Sequence, residues 1–393
     1  STADILRFLQ LEANYSSPIL PFLGGGFAYD YLATFEELPE VNPGANTYPD
    51  YEFLVAQTVL AVDHLQGTAR LEGWDIDDKR LREELDYLAS LPVAARFTAP
   101  QKERIRAVAD VDDAGFRADV DKLKGNIHAG DIYQVVPARA FTVECPNALA
   151  AYRALRETNP SPYMFYVRGA SYELFGASPE SNLKFTPEDR QVQLYPIAGT
   201  RPRGLNPDGS INHELDIRNE LDMRTDQKEV AEHTMLVDLA RNDLARVAVP
   251  RSRQVAELLH VDRYSRVMHL VSRVTATLHP DFDALDAYRA CMNMGTLTGA
   301  PKLHATELVR RTEGKRRGSY GGAVGYLRGD GAMDNCIVIR SAYVQDGTAV
   351  VQAGAGVVKD SVPQAEADET VHKAYAVLHA IAIAHGAELE VQR

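Results

Sequence analysis

The chain has 393 residues, 45% of them apolar, and a formal net charge of −13, which suits one large domain or two with a substantial core. The acidic balance argues against a nucleic-acid or anionic-membrane surface as the main business, and leaves room for a local basic pocket around a small anion. Three scattered cysteines, Cys145, Cys291 and Cys336, form no CxxC pair and exclude a disulfide framework or thiolate metal site. No apolar run of 18 residues offers a membrane span, and the first residues do not read as a signal peptide, so a cytoplasmic location is expected.

Residues 4–12 read as an amphipathic helix end, and Gly24 to Asp30 as a glycine-broken apolar strand. Pro39 to Pro49 predicts a loop. Tyr51 to His64, turned at Gln66-Gly67 into Thr68–Trp74, predicts a hairpin. Asp77 to Leu91 predicts a charged helix closed by Pro92, and residues 96–111, with no clear periodicity, a linker into a main domain over 112–393. There, Phe116–Ala129 predicts a helix stopped by Gly130, Asp131–Pro137 a strand, and Asn147–Thr158 a helix. Strands follow up to Val167, over Leu174–Phe185 and over Gln191–Ala198. Thr200 to Gly209 is a basic, glycine- and proline-rich loop; Glu214–Arg241 reads as one long helix and 365–385 as the closing one. The strands look like antiparallel neighbours without strict βαβ alternation, so the class is α+β.

Near the C-terminus, Gln352-Ala-Gly-Ala-Gly-Val-Val-Lys359 ends a strand in glycines that admit close approach of a ligand. Ser361 and Pro363 then look like a helix cap and first turn. Glu366, Glu369 and Lys373 share one face of that helix. Glu229 and Glu232 repeat the same acidic spacing on the long helix. Two such pairs suit an all-oxygen Mg²⁺ site completed by substrate; they equally suit solvated, salt-bridged helix faces. Pro196-Ile-Ala-Gly-Thr-Arg-Pro-Arg203 could hold a small carboxylate through backbone amides and Thr200, with Arg201 and Arg203 raising the potential, or could be a surface turn. Walker and GxGxxG loops are absent, so nucleotide binding lacks support. Glu180 stands in apolar company that would raise its pKa and suit it to general acid work. His269 reads as a core histidine or a catalyst. Arg340, ending an apolar strand, wants an anionic partner, either a substrate carboxylate or a structural Glu.

Four stretches together carry a family resemblance: Pro196 to Gly204, Leu236-Val-Asp-Leu-Ala-Arg-Asn-Asp243, Gly295-Thr-Leu-Thr-Gly-Ala-Pro-Lys302, and Gln352 to Gly356 with Glu366 and Glu369. In sequence and order they resemble the chorismate-utilising enzymes, and within them the anthranilate synthase large subunits (component I). The likeness runs from about Phe22 to the C-terminus. It implies a two-domain sandwich of large antiparallel sheets flanked by helices, with the active site in a cleft between them. It also implies that residues 1–95 are the remainder of an N-terminal domain whose start is truncated.

Position by position, the resemblance implies Mg²⁺ on Glu232 and Glu369, with Glu229 and Glu366 as second members of each pair. Gly199, Thr200, Tyr320, Arg340, Gly354, Ala355, Gly356 and Lys373 would hold chorismate; Glu180 would protonate the departing C4 hydroxyl and His269 would assist pyruvate elimination. Water-adding relatives carry lysine where Gln134 stands, and aminodeoxychorismate synthases typically carry lysine where Ala198 stands. A carboxamide cannot deprotonate water and alanine is no nucleophile, which favours ammonia. The expected reaction is chorismate plus ammonia to anthranilate and pyruvate through 2-amino-2-deoxyisochorismate, in tryptophan biosynthesis. A glutamine amidotransferase partner, in a heterotetramer, would supply the ammonia. Alternatives are a 2-amino-2-deoxyisochorismate synthase of secondary metabolism and a non-catalytic regulatory homologue. Tryptophan, as feedback inhibitor of the full-length form, would rest partly on Pro162, Tyr163, Met164, Tyr326 and Cys336.

Overall fold

Two large sheets carry the fold of the computed structural model, which describes residues 2–12, 19–74, 76–92, 103–264 and 267–393. Among these residues the first sheet has nine strands, all antiparallel. Their order is Ile197–Pro202, Val267–Thr277, Gln191–Leu194, Ser181–Thr186, Met333–Ile337, Ala323–Arg328, Phe22–Phe27 and Tyr51–Ala56, with Gln254–Arg263 also paired to Val267–Thr277. The second has seven: Glu388–Gln392, Arg104–Ala109, Ala138–Glu144, Thr348–Gly354, Ser341–Gln345, Glu173–Ser178 and Tyr163–Arg168. Only its Glu388–Gln392 pairing with Arg104–Ala109 is parallel. Mixed helices and large antiparallel sheets bear out the α+β class.

Each sheet buries one face under helices. Leu183, Val192, Leu194 and Val274 of the first pack with Val237, Ala240, Leu244, Leu285 and Tyr288 from helices Gln227–Ala245 and Ala284–Cys291. Phe141, Phe175, Val344 and Val351 of the second pack with Ala151, Leu155, Val377 and Ile381 from helices Ala148–Thr158 and Pro363–His385. Between the sheets lie Leu174, Tyr172 and Tyr343 from one side and Val324 and Cys336 from the other. This layering supplies the core that the 45% apolar composition promised.

Several sequence expectations change. The proposed linker 96–111 falls partly outside the described residues, and its Arg104–Ala109 portion is a strand pairing on both sides. Its alternation, with Ile105 and Ala107 buried between exposed arginines, was the missed signal. Among the described residues before 96, Phe22–Phe27 and Tyr51–Ala56 join the nine-stranded sheet through Ala323–Arg328. The glycines of that strand permit this closeness, since a Cβ on Gly25 would sit 2.0 Å from the Glu52 carbonyl oxygen. The long helix over 214–241 is two, His213–Thr225 and Gln227–Ala245, broken at an extended Asp226 that accepts from the Lys228 and Glu229 amides. The strand over 131–137 shrinks to Gln134–Val135. Ser361 does not cap the last helix: its hydroxyl accepts from the Val358 amide, and Val362 takes the cap position before Pro363.

Candidate active site

The chain passes directly from one sheet to the other at two places: from Glu173–Ser178 into Ser181–Thr186, and from Met333–Ile337 into Ser341–Gln345. Glu180 sits in the first crossover and Arg340 in the second. The second is sharp enough to hold Arg340 at φ 49°, a left-handed conformation uncommon for a non-glycine residue. Both side chains therefore enter the same cavity, of about 390 Å³. Its wall contains every residue expected to bind substrate or metal or to catalyse, except Ala355, which is fully buried beneath it.

Glu180 is 5% exposed. Burial pushes its carboxyl up to about 8, against the weaker opposing effects of Thr296, Arg340 and Lys373. The Thr296 hydroxyl donates to Glu180 Oε1 over 3.1 Å. Burial also holds the Arg340 guanidinium below its ordinary range, and among the described residues no hydrogen bond or ion pair engages its side chain. His269 is pushed down to about 4, first by burial and then by Arg340, while the Gly199 carbonyl opposes. Its Nδ1 lies 2.9 Å from the Thr200 hydroxyl. It is thus a neutral imidazole at neutral pH. Tyr320 is pushed up to about 12 by burial and stays a phenol. Lys373 donates to the Gly354 carbonyl over 3.0 Å and pairs with Glu369.

Gln134 is 6% exposed, and its Oε1 is buried without a hydrogen-bond partner. Its Nε2 faces Gly356, where a Cβ would come within 2.9 Å. An orphaned buried amide at a cavity wall is costly unless a ligand or water satisfies it.

The four acidic residues line one side of the cavity. Glu232 is raised, chiefly by burial, with Lys228 opposing and Glu229, Glu366 and Glu369 adding to the rise. Glu366 is raised by burial, with Ser361 opposing and Glu369 adding. Glu229 is bound by Arg201 at 2.9 Å, and Lys228 lies 3.8 Å from Glu232. Among the described residues no three His, Cys, Asp or Glu side chains group closely enough to hold a metal alone. A hard-oxygen set with unfavourable mutual charge still fits Mg²⁺, provided substrate or water completes the shell.

Arg201 and Arg203 do not serve an anion. Arg201 pairs with Asp222, Asp226 and Glu229, and Arg203 with Asp216 at 2.8 Å, so both brace the helices beside the cavity. Sequence reasoning missed Thr296, although it lies inside the Gly295–Lys302 motif, and Lys228 beside the acid pair.

At another opening between the sheets, an apolar cavity of about 470 Å³ is lined by Tyr163, Met164, Tyr326 and Cys336, but not by Pro162. Tyr163 donates to Asp334 Oδ1 over 3.0 Å.

The family described as chorismate binding enzyme matches residues 2–379. The anthranilate synthase component 1 of Salmonella typhimurium is 55% identical over 398 residues, covering 99% of this chain and 76% of that protein. That of Escherichia coli is 54% identical over 397 residues, with 99% and 76% coverage. Anthranilate synthase component I from Streptococcus pneumoniae superposes with a TM-score of 0.84 at 31% identity, covering 96% of this chain and 85% of that one. The menaquinone-specific isochorismate synthase of Escherichia coli shares the fold, with a TM-score of 0.75 at 21% identity. The chain belongs to the chorismate binding enzyme family.

Proposed function

We propose that the chain is an anthranilate synthase large component, converting chorismate and ammonia to anthranilate and pyruvate in tryptophan biosynthesis. The observation that carries this reading is the pairing, across one cavity, of an unengaged Arg340 guanidinium with a Glu180 carboxyl still protonated at neutral pH. Arg340 would take a substrate carboxylate, helped by the Gly199–Thr200 and Gly354–Gly356 backbone and by Lys373. Glu180 would protonate the leaving C4 hydroxyl as ammonia adds at C2. Neutral His269 would then assist loss of pyruvate. Gln134 has no basicity to activate water and Ala198 no nucleophile, which supports ammonia and a 2-amino-2-deoxyisochorismate intermediate.

Glu232 and Glu369 would hold Mg²⁺ with Glu229 and Glu366 beside them. When bound, the ion supplies positive charge against substrate carboxylate oxygen. The relatives' designation as component 1 supports a second component, read here as a glutamine amidotransferase delivering ammonia in a heterotetramer. Tryptophan, as feedback inhibitor, would occupy the apolar cavity beside Met164. Among the described residues no helix is long and apolar enough to cross a membrane; we place the enzyme in the cytoplasm. Incubation with chorismate, Mg²⁺ and ammonium tests the reading: anthranilate fluorescence with equimolar pyruvate supports it, and no turnover contradicts it.

A further inference from the structure

One fully buried titratable side chain has no part in the mechanism above. His233, on the Gln227–Ala245 helix, is 0% exposed and lies behind the cavity wall. It faces an irregularity in the nine-stranded sheet. Ile197 pairs with Val271, yet Thr200 pairs with His269, so the edge strand carries one extra residue between them. Such a bulge takes Ala198 and Gly199 out of ladder register and turns the backbone, here through Gly199 at φ 91°. The buried carbonyls it frees need partners.

A histidine stands beside each of them. His233 Nδ1 lies 3.2 Å from the Ala198 carbonyl oxygen, and the Gly199 carbonyl faces His269. The tautomer of His233 follows from its neighbours. Ala198 O can only accept, so Nδ1 carries the proton. Nε2 then accepts from the Ser272 hydroxyl at 2.7 Å, whose oxygen receives the Leu259 amide at 2.9 Å. The Ser272 amide in turn donates to Pro196 O over 3.0 Å. The bulge is therefore fastened at Pro196 and Ala198 by Ser272 and His233, neither of which lines the cavity, and at Thr200 by His269, which does.

We propose that His233 is a positioning residue: its hydrogen bond to the Ala198 carbonyl sets the bulge that presents Gly199 and Thr200 to the substrate carboxylate and Thr200 to His269. The proposal rests on the chorismate reading only for what the bulge binds. His233→Asn and His233→Gln test it, because both are polar and smaller than or similar to imidazole. The Asn amide nitrogen falls near the Nδ1 position and keeps the donor; the Gln amide reaches toward Ser272 instead. The Asn variant is expected to keep the KM for chorismate within ~3-fold of wild type, and the Gln variant to raise it on the order of 10-fold. Equal KM values for the two overturn the proposal. Crystal structures of both decide independently of the reaction: Ala198–Thr200 is expected to superpose on wild type in Asn and to shift in Gln. An unshifted bulge in the Gln variant also overturns it. Absence of anthranilate from the wild type would count against the proposed function and leave this structural comparison standing.

Discussion

The Thr296 hydroxyl donates to Glu180 Oε1 across 3.1 Å, and it is the strongest of the contacts that work against burial in setting that carboxyl's pKa. With burial dominant, Glu180 titrates at about 8, well above its ordinary 4.5. The folded state therefore binds a proton that the unfolded chain has lost between those values. Its contribution to stability falls as pH rises from about 4.5 to 8 and is flat beyond. An acid-dependent kcat/KM falls above the same pH.

Thr296→Val removes a bond favouring the ionised form, so the alkaline limb of kcat/KM moves to higher pH. Glu180→Gln loses the acid altogether and should cost ~10²–10⁴-fold in turnover. A pH–rate profile of both variants checks this; a limb moving downward in Thr296→Val contradicts the assignment.

Glu232→Gln and Glu369→Gln each remove one anionic oxygen from the cavity wall; at Glu232 burial already disfavours charge. Each is expected to lower kcat/KM at least ~100-fold, about 2.7 kcal/mol, with the melting temperature unchanged or raised. Chelation of Mg²⁺ from the wild type should do the same reversibly. Near-normal turnover in either variant at saturating Mg²⁺ argues that the acids serve only the fold.

Gly354 and Gly356 should fail differently. A Cβ on Gly354 would meet the Pro137 carbonyl oxygen at 2.7 Å and Tyr320 OH at 3.1 Å. Backbone cannot yield cheaply, so Gly354→Ala is expected to destabilise by ~1–3 kcal/mol. At Gly356 the obstacle is the end of the Gln134 side chain, 2.9 Å away, which can yield by rotation. Gly356→Ala should keep stability and lose activity. Denaturant titration beside steady-state kinetics separates the two.

Gln134→Lys places an amine where the orphaned amide now lies. Desolvation can lower a lysine's pKa enough for it to act as a base. The variant is expected to leak isochorismate without ammonium, where the wild type makes almost none; chromatography of the products checks it.

That these residues meet in one cavity wall was legible because they come in short contiguous motifs whose chemistry survives without coordinates. Glu180 in apolar company and the two acid pairs at helical spacing are such cases. What escaped depended on partners distant in sequence. Arg201 and Arg203 read as anion ligands until Asp216, Asp222 and Asp226 claimed them. Asp226, three residues before Glu229, carried a helix-cap signature that the helical pattern on either side masked. Arg104–Ala109 read as linker because two alternating buried residues are a weak signal until strands on both sides pair with them.

The central claim is that this cavity adds nitrogen to chorismate and expels pyruvate. Incubating the protein with chorismate, Mg²⁺ and ¹⁵N-ammonium and weighing the products tests it most directly. The account predicts anthranilate carrying one ¹⁵N, with one pyruvate formed for each. Isochorismate free of nitrogen as the main product, or a labelled amino-deoxy compound that never yields pyruvate, would contradict it.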